Sequence, residues 1–203
     1  MVRKQFHALR IISGTARGRR LATPPEKDTS IRPTSDRARE ALFSIIGPRI
    51  KHSLVLDLFA GTGALGLEAY SRGASLVVLV DKEPLSLKII QKNTSIFRHE
   101  QSNTDHIHVI KDDLKHPQFL RKLAPGLTPE FDIIFADPPY DKDFSLPILQ
   151  YINDNNLLKT DGLIIIEERY NVSLPAKLSC IELFDRRKYG EAGFSFYQRR
   201  ISP

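Results

Sequence analysis

Thiol chemistry is nearly absent from this chain, which has one cysteine, Cys180, among 203 residues and no tryptophan. A lone cysteine excludes an internal disulfide and fits a reducing, cytoplasmic setting. Its plainest role is that of a small buried apolar residue. The six histidines are scattered, and no cluster of Cys and His has the spacing of a zinc site, so no metal is expected. Long hydrophobic runs are missing as well: stretches such as Leu76 to Val80 fall far short of a bilayer span. The N-terminal MVRKQFHALR carries basic residues but no apolar core, so no signal peptide or membrane partner is expected. There is no internal repeat.

What remains is the composition of a globular protein, 41% hydrophobic and 27% charged, long enough for one well-buried domain with or without a small appendage. The charge is unevenly placed. Residues 1–39 hold ten Lys and Arg against three acids, a net +7, and the rest holds 20 against 21, a net −1. A positive excess confined to one segment is the footprint of a polyanionic partner such as a nucleic acid; a solvated tail is the alternative.

The basic segment HALRIISGTARGRRLATP reads as a β-hairpin turning at Ser13-Gly14-Thr15, followed by the linker PPEKDTSIRP. Thr34 or Ser35 can cap a helix through DRAREALFSII, whose Ala38, Leu42, Phe43 and Ile46 form an apolar stripe ended by Gly47-Pro48. Two units follow from this: residues 1–33 as basic hairpin and linker, and 34–203 as an α/β domain. In the domain, apolar strands alternate with helices: LVLDLF, ALGLEAYSRG, SLVVLVD, PLSLKIIQKNTSIF, HIHVIKDD, FDIIFAD, SLPILQYIND and GLIIIEE. Continuous apolar strands separated by helices predict a parallel sheet covered on both faces. LSCIELFDRRKY and FSFYQRR, around Gly190 to Gly193, predict an antiparallel hairpin at the sheet edge.

Gly61-Thr62-Gly63-Ala64-Leu65-Gly66 fits G-x-G-x-x-G between a strand and a helix, with Asp81 some 20 residues on, as in a dinucleotide-binding fingerprint. A nicotinamide-dependent dehydrogenase is therefore one candidate. Asp57, inside the first strand, argues against it, because a carboxylate there repels a pyrophosphate and suits a ligand bearing an ammonium group. S-adenosylmethionine has that group and no phosphate. Asp81 can accept both ribose hydroxyls, and Asp113, at the predicted end of the third strand, can reach the adenine amine. Phe59, Gly61, Gly63 and Lys82 complete the expected cofactor set.

The fourth strand ends in Asp137-Pro138-Pro139-Tyr140. Two prolines fix two φ angles and remove two backbone donors, so the flanking side chains are held in one pose. An exocyclic base amine is a poor nucleophile until it becomes pyramidal. Asp137 and a proline-fixed carbonyl can accept its two N–H groups as positive charge develops. Tyr140 offers a ring for a base taken out of its stack.

DLFAGTGALGLEA (57–69) together with DPPY (137–140) resembles the class I, Rossmann-like amino-methyltransferases. RIISGTARGRRL (10–21) and RPTSDRAREALF (32–43) narrow the resemblance to the RsmD family, bacterial 16S rRNA guanine-N2 methyltransferases; the four segments occur in the family's order. The resemblance implies a Rossmann-like domain using S-adenosylmethionine and an rRNA substrate within a small ribosomal subunit or its assembly intermediate. It also implies RNA gripped by the N-terminal hairpin, with Arg10, Arg17, Arg19 and Arg20 on phosphates and Arg32 and Arg37 beside them. Family members often carry Phe where this chain has Tyr140. Arg39 or Glu40 either touches the methionine end of the cofactor or is ordinary surface charge. A monomer is expected. Other DNA or RNA amino-methyltransferases share DPPY and stay open as alternatives, as does a non-catalytic RNA-binding protein.

Overall fold

The computed structural model describes residues 9–25, 36–97, 106–123, 130–140 and 142–200. The cap at Thr34 or Ser35, and Arg32, lie outside these. Helix α1, Asp36–Ile46, buries Ala38, Leu42, Phe43 and Ile46, the stripe its spacing predicts. A 3-10 turn over Gly47–Ile50 leads into β1, Leu54–Leu58. Then come α2 (Ala64–Ser71), β2 (Leu76–Asp81), α3 (Pro84–Thr94, with Pro84 in its first turn) and β3 (Ile107–Lys111). They are followed by β4 (Phe131–Ala136), α4 (Ser145–Asp154), β5 (Leu158–Arg169), β6 (Ile181–Tyr189) and β7 (Ala192–Arg199).

The seven strands form one sheet in the order β3-β2-β1-β4-β5-β7-β6. Neighbours from β3 to β5 pair in parallel, whereas β7 runs antiparallel to both β5 and β6. Successive strand residues enter opposite layers, as the pleat requires. Val55, Val77, Leu79, Ile133, Phe135 and Ile165 pack with α1, α2 and α3. Leu56, Val78, Val80, Ile134, Ile164 and Ile166 pack with α4 on the other face. Two covered faces explain why the strands read as unbroken apolar runs.

Two boundaries move. The third strand ends at Lys111, two residues before Asp113. The closing hairpin is tighter than expected, because Ala192 and Gly193 already pair within β7. The N-terminal arm is held as a short hairpin by the bridge Arg10↔Arg20 and the bonds Ile11 N→Arg19 O and Leu21 N→Leu9 O, with a wide turn to Gly18 instead of a tight one at Gly14. Leu9, Ile11, Ala16 and Leu21 share one core cluster with α1 and α2. Among the described residues no helix is long and apolar enough to cross a membrane.

Helix α2 approaches the sheet closely at Gly66. A Cβ there would stand 2.4 Å from Leu79 Cδ2 and 2.8 Å from Val77 Cγ1. Gly66→Ala should therefore destabilise the fold by about 1–3 kcal/mol through overpacking. Urea unfolding measures this, and an unchanged midpoint would contradict the packing.

Candidate active site

The sheet order reverses between β1 and β4, each of which begins a run of strands outward, and a crevice opens at such a point beyond the strand C-termini. Asp137 lies one residue past β4, and its N–H donates to Leu58 O at 3.3 Å, extending the β1–β4 pairing to that rim. On the β1 side the chain turns sharply. Phe59 has φ 60°, a costly conformation for a bulky residue and one that clusters at functional sites; its ring packs on Phe144 at 5.6 Å. Gly61 and Gly63 are left-handed too, and Gly63 caps α2.

Asp81 organises this loop. One carboxylate oxygen accepts Gly61 N–H at 2.8 Å and the other accepts Glu83 N–H at 2.9 Å. Each oxygen keeps a second lone pair for a ligand hydroxyl. Asp57 behaves differently from the open carboxylate its strand position suggests. It is buried, 1% exposed, and its Oδ2 accepts Gly66 N–H at 2.9 Å, so its observed bond fixes the first turn of α2. Burial pushes its carboxyl up to about 7; the Gly66 N–H opposes that rise and the charge of Asp81 adds to it. A cation brought against such a group would return it to the anion.

Asp113 does not end β3. It stands exposed beyond the strand, 3.5 Å from Lys82 Nζ, and accepts Lys115 N–H at 3.0 Å. That N–H, with the charge of Lys82 adding, holds its carboxyl below the ordinary carboxylate range. The buried neighbour, Asp112, instead braces the following turn by accepting Gln118 N–H and pairing with Lys122. Lys82, Glu83, Lys111, Asp112, Asp113 and Lys122 line an open cavity of about 460 Å³.

Beyond β4, Asp137 and Tyr140 are half-buried, Pro138 is buried and Pro139 exposed. The Tyr140 hydroxyl donates to Glu167 Oε1 at 3.0 Å, and the Arg169 guanidinium lies 5.1 Å from the ring centroid. Burial, then the charges of Glu167 and Asp137, push the phenol well above its ordinary value, so it stays a donor. Glu168 accepts Ser145 Oγ at 2.7 Å and so seats the start of α4 beside the site. Glu167, Glu168 and Arg169 were not singled out from sequence. A signal is present in sequence: acids at the C-terminal end of a buried strand, the position Asp81 holds on β2. Ala136 pairs with Ile166, which places Glu167 alongside Asp137.

In the arm, Arg10, Arg17, Arg19 and Arg20 are exposed, as is Arg37 on α1. Arg39 is not ordinary surface charge. It is fully buried, donates from Nη2 to Arg10 O at 2.9 Å and pairs with Asp36, while Glu40 is exposed. Among the described residues, no group of three or more His, Cys, Asp or Glu could hold a metal ion.

The family model described as Conserved hypothetical protein 95 matches residues 9–198. The chain is 32% identical to the ribosomal RNA small subunit methyltransferase D of Escherichia coli (strain K12) over 191 residues, covering 94% of this chain and 90% of that protein. It is 35% identical to the protein of that name from Haemophilus influenzae (strain ATCC 51907 / DSM 11121 / KW20 / Rd), covering 78% of each. The solved structure of a hypothetical protein from Thermus thermophilus superposes with a TM-score of 0.74 at 30% identity, covering 93% of this chain and 98% of that one.

Asp57 makes a pH test possible. Its folded value of about 7 lies above the ordinary 3.8, so between these the native state binds the extra proton. Its contribution to stability is then full at low pH and declines as pH rises through that window. Asp57→Asn, which cannot ionise, should gain stability relative to wild type as pH rises from about 4 to about 7. Parallel urea-stability profiles for the two proteins would refute the burial effect.

Proposed function

Because the chain belongs to the family described as Conserved hypothetical protein 95, we propose that it is an S-adenosylmethionine-dependent methyltransferase that modifies the exocyclic N2 amine of a guanine in 16S rRNA, within the small ribosomal subunit or an assembly intermediate. The observation that carries this is Asp137, followed by two prolines, at the β1–β4 rim beside a left-handed glycine loop.

The residues of the crevice fit the cofactor's chemistry. Asp57, Asp81 and Asp113 are acids, which suits a ligand with an ammonium group, ribose hydroxyls and an adenine amine better than one with phosphates. Asp81 and the Gly61–Gly63 main chain would hold the ribose and the methionine portion. Lys82 and Asp113 would border the adenine, and Phe59, at the turn out of β1, would shape the loop leading to them. When bound, S-adenosylmethionine supplies an electrophilic methyl group on its sulfonium.

The protein's part is to orient and polarise the amine. Asp137 and the Pro138 carbonyl accept its two N–H groups and so turn the nitrogen lone pair outward. The prolines keep both acceptors fixed, so little reorganisation is needed as positive charge grows on nitrogen. A charge-assisted hydrogen bond of this type contributes roughly 1.5–3 kcal/mol, and alignment of the reactants contributes more. Tyr140, tethered to Glu167 and flanked by Arg169, walls the base pocket, and Glu167 holds the ring at one angle. Pro139 shapes the same turn. The exposed arginines of the arm, with Arg37 and Arg32, supply phosphate contacts.

Asp137→Ala should retain cofactor binding by calorimetry yet lose methyl transfer to small subunits from a strain lacking the modification; wild-type turnover would remove Asp137 from the mechanism. Mapping the labelled base in the same assay tests the choice of guanine N2. Replacing Arg17, Arg19 and Arg20 together by Ala should weaken RNA binding and reduce the slope of log affinity against log salt by up to about 0.7–0.9 per lost contact. An unaltered slope would mean that the arm is not at the RNA.

A further inference from the structure

Four buried polar side chains from three helices hold the main chain of the arm, and the chemistry of methyl transfer uses none of them. From α1, Arg39 donates to Arg10 O at 2.9 Å. From α2, Glu68, 0% exposed, accepts Ile12 N–H at 2.7 Å and Ser13 N–H at 3.0 Å, and pairs with Arg72 Nε at 2.7 Å. Ser71 donates its hydroxyl to Ser13 O at 2.6 Å, accepts Ala16 N–H on that hydroxyl at 2.9 Å and accepts Thr15 N–H on its carbonyl at 2.8 Å. From α3, Asn93 accepts Ala22 N–H at 2.7 Å and donates to Ala22 O at 3.1 Å and Thr62 O at 2.9 Å. Both amide hydrogens of Asn93 are therefore used, one of them on the glycine loop. The fit is also steric: a Cβ on Gly14, at φ +84°, would stand 1.7 Å from Ser71 O.

A fully buried carboxylate is costly unless its bonds are satisfied. Here they are satisfied by Arg72 and by the backbone of a loop whose side chains Arg17, Arg19 and Arg20 stay in solvent. Three like charges on an unrestrained loop would spread apart and would have to be ordered on binding. Fixing the main chain beforehand removes that cost from the encounter with RNA.

We propose that Glu68, Ser71 and Asn93 are positioning residues for the RNA substrate, holding the arm in the pose that presents Arg10, Arg17, Arg19 and Arg20 as one phosphate-binding array. This rests on the arm gripping RNA. The test is steady-state transfer to undermodified small subunits, with cofactor affinity measured by calorimetry, for Glu68→Gln and Gly14→Ala. Gly14→Ala leaves every buried polar side chain in place and lifts the arm off Ser71, so it decides the matter if Glu68→Gln does not fold. KM for the subunit should rise roughly tenfold, with kcat and cofactor affinity close to wild type. Unchanged KM in the folded variants overturns the proposal, and so does a parallel fall in kcat and cofactor affinity, which marks a general structural defect. The variant lacking Arg17, Arg19 and Arg20 separates the two failures. If it too keeps its KM, the arm does not grip RNA; if its KM rises while that of Gly14→Ala does not, only the positioning role fails.

Discussion

The hydrogen bond from Gly66 N–H to the buried carboxyl of Asp57 fixes how close α2 comes to β1. That distance sets where Gly61 to Gly63 can pass and where Phe59 must turn out of the sheet. The same helix carries Glu68 and Ser71, two and five residues further on, facing the arm. One close approach of helix to strand thus governs both the glycine loop and the seat of the basic segment. The approach is open only to a residue without a side chain, which is why the third glycine of the loop lies inside the helix and not in the turn.

Charge is sorted by place. Asp81, Asp137, Glu167 and Glu168, with Arg169 beside them, gather at or just beyond the C-terminal ends of β2, β4 and β5, whereas Arg17, Arg19 and Arg20 stand in solvent on the arm. A phosphate backbone is attracted to the second group and repelled by the first. Under the proposed function, an uncharged base carrying hydrogen-bond donors is what the acidic end admits. Selection between phosphate and base is then built into the field of the protein before any close contact forms.

The strand and helix pattern was legible because both faces of the sheet are covered, so each strand announces itself as an apolar run; α4 falls on the residues its pattern gives. HIHVIKDD reads as one strand ending at Asp113, yet the ladder stops at Lys111 and the burial passes to Asp112. Arg39 and Glu68 could not be read as buried. Each is a charged residue on a helix, and its partners are 29 and 55–56 residues away in the arm. Local periodicity carries no information about such pairs. Glu167 to Arg169 close a buried strand and so were visible as strand-end residues, but their place beside Asp137 rests on the strand order, which the alternating pattern does not determine.

The seating of Gly14 against the last turn of α2 bears on how such an enzyme could be re-engineered or diverge. An arm transplanted from another scaffold would arrive without the matching carboxylate, hydroxyl and amide, and would dangle. Under the proposed function, target choice is inherited with the helices beneath the arm, so a working chimaera has to exchange α2 and the end of α3 along with it.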